Sequence, residues 1–79
     1  MKGSLMILVT VNRKEFQIPC GTSVSSLVDL LKDSTEYTFI SAGNYMVAVN
    51  GQMIQYEDQN SFELHSGDNL IIAPECVGG

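Results

Sequence analysis

Few side chains in this sequence could do chemistry, and their spacing excludes most reactions. His65 is the one histidine and stands just before Ser66-Gly67-Asp68. No serine, cysteine or paired carboxylate lies at a spacing that would make it part of a triad or a metal site, so it reads as a solvated turn residue. The carboxylates Glu15, Asp29, Asp33, Glu36, Glu57, Asp58, Glu63, Asp68 and Glu75 are scattered. Glu57-Asp58 reads as a solvated loop rather than an acid/base pair, and Asp68 after Gly67 as a turn former. Cys20 and Cys76, even with His65, are too few for a four-ligand zinc or iron–sulfur site. No basic residue adjoins Cys76 in sequence to lower its pKa, and Cys20, between a strand and a helix, is expected to be semi-buried. No glycine-rich segment leads into a helix with a following Lys-Ser or Lys-Thr, so there is no phosphate loop. Cys76-Val77-Gly78-Gly79 is a poor prenylation box, with glycine in place of the second aliphatic residue and no polybasic stretch upstream.

That leaves the α-carboxylate of Gly79. The segment Pro74-Glu75-Cys76-Val77-Gly78-Gly79 follows the apolar run Leu70-Ile71-Ile72-Ala73 and has no folding pattern of its own. Pro74 cannot donate to a sheet and restricts Ala73, so it is expected to end the strand. Gly78 and Gly79 carry no side chain and can be drawn through a slot where any Cβ would collide. Six extended residues reach roughly 20 Å, enough to present a carboxylate to another protein's active site. The same glycines also fit a frayed end, so the choice falls to the elements that would carry the tail.

Seventy-nine residues suffice for one domain near the lower limit for a self-sufficient core. A hydrophobic fraction of 44% and a charged fraction of 16% describe a globular chain. The net charge is −5, and the four basic residues Lys2, Arg13, Lys14 and Lys32 form no patch, which argues against nucleic acid and anionic membrane partners. The apolar stretch near the start is short for a signal peptide, with no small-residue cleavage site after it, and no apolar run approaches a membrane span. The expected location is therefore cytoplasmic, with both cysteines free thiols.

Met6 to Val11 is β-branched and apolar and predicts a strand. A polar turn over Asn12-Arg13-Lys14-Glu15 and the alternation of Phe16-Gln17-Ile18 complete a hairpin, which Pro19-Cys20-Gly21 breaks. Thr22 or Ser23 supplies a helix N-cap. Val24, Leu27, Val28 and Leu31 form one apolar stripe, Leu30 widens it, and the helix is expected to end near Asp33. Residues 33–44 predict a long loop with a short helical turn, anchored by Tyr37, Phe39 and Ile40. Tyr45 to Asn50 is a second clear strand, closed by the Asn50-Gly51 turn signal and followed by a short extended Gln52-Met53-Ile54. Ser61 to Leu64 predicts a brief edge strand, and Asn69 to Ala73 the last one. The order implies an α+β β-grasp, one mixed sheet of four to five strands around a single helix. Residues 1–73 would form the domain and 74–79 a flexible tail.

Such a helix covers one face of the sheet, and the other should be polar if the protein works alone. Here both faces are apolar. With Ile7, Val9, Val47, Val49, Leu70 and Ile72 toward the helix, Met6, Leu8, Met46, Ala48 and Ile71 fall on the opposite face. They predict a contiguous partner-binding patch, unless the long loop or a homodimer covers it.

Val47-Ala48-Val49-Asn50-Gly51, the Gly67-Asp68 turn before the last strand and the terminal Val77-Gly78-Gly79 together resemble the ThiS/MoaD family of ubiquitin-like sulfur carriers. The short first hairpin and Gly21-Thr22-Ser23-Val24 leading into the helix resemble the ThiS branch. Pro74 resembles the proline-containing tail of the MoaD branch, and residues 33–44 are longer than the ThiS pattern. The resemblance implies that Gly79 is the reactive residue, with Gly78 and Val77 threading the tail. Its carboxylate would be adenylated by an ATP-using, ubiquitin-activating-like adenylyltransferase (ThiF/MoeB-like) and converted to a thiocarboxylate with sulfur from a donor protein. An acceptor synthase (ThiG-like or MoaE-like) would take the sulfur, most simply for thiamin thiazole. The carrier itself would be no enzyme and would bind no cofactor, ATP being used by the partner. Alternatives are a molybdopterin-synthase small subunit or another metabolite sulfur carrier, and, in another class, a ubiquitin-like protein modifier or an inert β-grasp interaction module.

Overall fold

The computed structural model describes residues 5–75. Strands β1 (Met6–Val11) and β2 (Lys14–Pro19) form the expected hairpin. Its loop is tighter than the four polar residues suggest: only Asn12 and Arg13 turn, with φ of 50° and 74°. Both values are positive, as a two-residue hairpin turn matching the strand twist requires. Lys14 and Glu15 join the ladder opposite Val11 and Thr10.

Helix α1 (Val24–Leu31) starts where the sequence places it, with Ser23 as N-cap. The Ser23 hydroxyl oxygen accepts from the Ser26 N–H at 3.1 Å, satisfying one of the free amides of the first turn. Ser23→Ala is expected to cost about 1 kcal/mol. A urea midpoint indistinguishable from the parent chain would refute that role. Val24, Leu27, Val28 and Leu31 are buried, but Leu30 is 65% exposed and does not widen the stripe.

Residues 33–44 hold more helix than the sequence announces. A single 3₁₀ turn at Thr35–Tyr37, capped by Ser34, leads directly into a short helix α2 (Thr38–Ala42). Gly43, with φ of 86°, closes α2 in the left-handed conformation that glycine adopts without steric cost. Tyr37 and Ile40 are buried and anchor the segment as expected.

Strands β3 (Tyr45–Val49) and β4 (Gln52–Ile54) pair through the Asn50-Gly51 turn, and β5 (Asn69–Pro74) closes the sheet. β5 runs one residue past Ala73, with Pro74 opposite Tyr45. Ser61 to Leu64 forms no strand; one antiparallel bridge, Ser23 to Glu63, ties this loop to the start of α1. The strand order is β2-β1-β5-β3-β4, with β5 parallel to β1 and antiparallel to β3. This is the expected α+β β-grasp, a mixed five-stranded sheet folded over α1, to which α2 is added. Val9, Val47, Val49, Leu70 and Ile72 face α1 and are nearly inaccessible to solvent, joined by Val11, while Ile7 is only partly buried against them, so the parity read from the sequence holds on the core side.

Candidate functional site

Val77, Gly78 and Gly79, and Cys76 before them, lie outside the described residues. The structure describes the platform that carries them. β5 is the middle strand of the sheet, so the chain leaves from its centre rather than from an edge. On one side β5 follows β3 for its whole length, from Val49–Leu70 to Tyr45–Pro74. One residue further, the Glu75 N–H donates to the Asn44 carbonyl at 3.0 Å.

The other side of β5 has a neighbouring strand over only its first residues. β1 pairs with it only at Thr10–Asn69 and Val11–Leu70 before turning away. The Asn12 N–H still reaches the Leu70 carbonyl at 2.9 Å. Beyond that point the Asn12 side chain takes the place of a strand. Its Nδ2 donates to the Ile72 carbonyl at 2.8 Å, and its Oδ1 accepts from the Ile72 N–H at 2.9 Å. Backbone groups alternate direction along a strand, so Pro74 also faces this side, where its missing N–H has no partner to disappoint.

The outer face carries the residues assigned to partner binding. Met6, Leu8 and Ile71 are 45%, 46% and 45% exposed, and Met46 and Ala48 are half-buried. The register does not join all five. Ala48 stands opposite both Ile71 and Met53, and Met46 opposite Ala73, which makes one apolar block beside the end of β5. Met6 and Leu8 lie toward the other end of β1, beyond a polar row. There the Thr10 hydroxyl donates to Asn69 Oδ1 at 2.9 Å, the Asn69 N–H donates to Asn50 Oδ1 at 2.9 Å, and Asn50 Nδ2 donates to Asp68 Oδ1 at 3.0 Å. The expected contiguous patch is therefore two patches, because the parallel register sets Ile71 past the end of β1. Met53, half exposed, belongs to the block and was absent from the sequence reading. Strand alternation carried across the Asn50-Gly51 turn would have placed it there.

The remaining polar groups have structural roles. Asp68 Oδ2 accepts the His65 N–H at 2.8 Å and shapes the turn, and the His65 side chain is exposed, as its sequence context implies. Cys20 is exposed rather than semi-buried, since the chain has already left β2 at that point. A groove of about 550 Å³ between α1, α2 and the turn at Tyr56–Asp58 includes Asp29, Lys32, Tyr45 and Gln59 in its lining. Lys32 is paired with Asp29 at 2.8 Å, which raises its pKa. The Tyr45 hydroxyl donates to Gln59 Oε1 at 3.3 Å, and burial pushes its phenol above the ordinary value. Among the described residues no group of three or more potential metal ligands occurs, and no helix is long and apolar enough to cross a membrane.

Comparison with known proteins agrees with this architecture. A thiamine biosynthesis protein (ThiS) from Geobacter metallireducens superposes with a TM-score of 0.72 at 23% identity, covering 92% of this chain and 99% of that one. A ubiquitin-like domain from Arabidopsis thaliana superposes with a TM-score of 0.50 at 13% identity, over 96% of this chain and 82% of that one. At these identities both are likenesses of fold. No curated protein matches the sequence significantly. The sequence profile of the ThiS family matches residues 3–79, from ahead of β1 to the terminal glycine. The chain belongs to the ThiS family of ubiquitin-like sulfur carriers.

Proposed function

We propose that this protein carries sulfur as a thiocarboxylate on Gly79 and donates it in thiamin thiazole formation. The observation that carries the reading is the family match running through Val77-Gly78-Gly79 on a body whose central strand leads into that tail. The cytoplasm, where its partners' ATP and thiols are found, is the proposed location.

A carboxylate is a poor acyl donor, because the leaving group would be an oxide. In the proposed cycle a Gly79 carboxylate oxygen attacks the α-phosphorus of ATP on an adenylyltransferase of the ThiF/MoeB kind, and pyrophosphate leaves. The resulting mixed anhydride has AMP as a good leaving group. The terminal sulfur of a donor protein's persulfide displaces AMP, and a thiol reduces the acyl disulfide so formed to the thiocarboxylate. A ThiG-like synthase then accepts the sulfur. The carrier contributes no catalytic side chain, only position. Its body holds the chain through Glu75, so the segment left to enter a partner is Cys76 to Gly79, roughly 13 Å when extended. Gly78 permits close passage and Val77 anchors in the channel.

In this reading the block of Ile71, Ala48, Met53 and Met46 rests on the activating partner, with Met6 and Leu8 a separate contact. Ile71→Arg is expected to weaken that complex roughly tenfold or more, as loss of a central apolar contact does, with folding unaffected. Calorimetric titration reads it, and unchanged affinity removes the block from the interface. The test of the function is intact mass after incubation with ATP, the activating enzyme and a persulfide source. Replacement of one oxygen by sulfur on the C-terminal residue is the expected result. A terminus that never exchanges, or ladders of lysine conjugates in cell extract, would overturn it.

A further inference from the structure

We infer that Asn12 is a positioning residue for the tail, acting as a one-residue strand that fixes the C-terminal half of β5, from which the tail departs. The inference rests on the carrier reading above. Asn12 is sixty residues from Ile72 in sequence, yet its carboxamide makes both hydrogen bonds that a neighbouring strand would make there. The turn enforces this placement. With φ of 50° at Asn12, the backbone bends into β2 just as the side chain projects onward along β5. A carboxamide is also the right chemistry, since one short planar group offers a donor and an acceptor side by side. An aspartate would offer acceptors alone and set a charge against the Ile72 carbonyl.

Without the bridge, β5 beyond Leu70 would keep a hydrogen-bonded neighbour on the β3 side only, with the buried Ile72 side chain still packed in the core. Ile71 and Ala73, in the outer block, and Pro74, which leads into the tail, all lie in that stretch. Freedom gained there must be given up again when a partner seats the block and draws in the terminus, so the loss appears in binding. The bridge thus couples a hairpin turn that touches no reacting atom to the direction in which the terminal carboxylate is offered.

Asn12→Gly isolates this role, because glycine keeps the positive φ of the turn and deletes only the side chain. Arg13→Gly is the control: it relaxes the same turn and leaves the bridge in place. In the full-length chain, exchange of the Ile72 amide is expected to accelerate roughly ten- to a hundredfold in Asn12→Gly, from the loss of its acceptor, and little in Arg13→Gly. In pyrophosphate release with the ATP-using activating enzyme, the KM for Asn12→Gly is expected to rise about tenfold with kcat near the parent value, the signature of lost binding. An unaltered Ile72 exchange rate overturns the bridge. Faster exchange with an unaltered KM, well below the melting temperature, makes Asn12 a purely structural residue and overturns the positioning role. A parent chain that gains no sulfur under the same conditions overturns the carrier reading itself, an outcome readable apart from the Asn12 comparison.

Discussion

Chains lacking Gly79, or carrying one residue beyond it, are expected to leave the activating reaction with their mass unchanged. In the proposed cycle the reacting group is the Gly79 carboxylate: an added residue turns it into a peptide bond and carries the free carboxylate about 3.3–3.6 Å past the site, while a shortened chain holds its carboxylate as far short of it. A misplacement of about 1 Å can cost on the order of a hundredfold in rate, so a whole residue should abolish turnover. Gly78→Val is expected to do the same by sterics, since its branched side chain meets the walls of any channel shaped to glycine. Urea midpoints of all three variants should match the parent, because the hydrogen bonds of the described body end at the Glu75 N–H. Sulfur found on a chain with a C-terminal tag would refute the role of Gly79, whatever became of the fold.

The largest stability effect is expected at Leu70. This side chain is fully buried in the middle strand, between Val11 and Val49 on the neighbouring strands. Leu70→Ala removes its transfer energy and leaves a cavity that five strands and a helix cannot easily close, about 2–5 kcal/mol. A domain of this size has on the order of 4–12 kcal/mol to lose, so the variant stands near the edge of folding at ambient temperature. Leu30→Ala makes the same chemical change on the exposed side of α1, at a residue 65% accessible, and is expected to shift stability by no more than about 0.5 kcal/mol. Comparable shifts for the two in urea titrations would mean that β5 is not the centre of the core.

Much of this architecture was legible because local signals agreed with the global pattern. The period of two in Met6–Val11 and Tyr45–Val49 named both faces of the sheet, and Ser23 with the stripe from Val24 to Leu31 named the helix. α2 was harder to see because five residues make barely more than one turn, too few to display a period. Leu30 misled because helical spacing alone assigns it to the rim of the stripe, while the sheet covers a narrower arc. The outer block was read as continuous because parity gives the face of a residue but not its neighbour across the sheet. Only the pairing of Thr10 with Asn69 shows how far β5 is displaced along β1. The Asn12 bridge was beyond reach for the same reason: its partners are sixty residues away, and an asparagine in a turn has a sufficient local explanation.

The position of β5 also bears on how the molecule is made. The hairpin of β1 and β2 and the pair of β3 and β4 are not neighbours in the sheet, and β5 alone lies between them. It is the last strand among the described residues, so each half keeps an apolar flank uncovered until residues 69–74 dock between them. Closure then requires one parallel and one antiparallel ladder to form at once across distant parts of the sequence, a slow kind of search. Chaperone contact should therefore be concentrated in that interval, and the joining strand emerges immediately ahead of the glycines assigned to the chemistry.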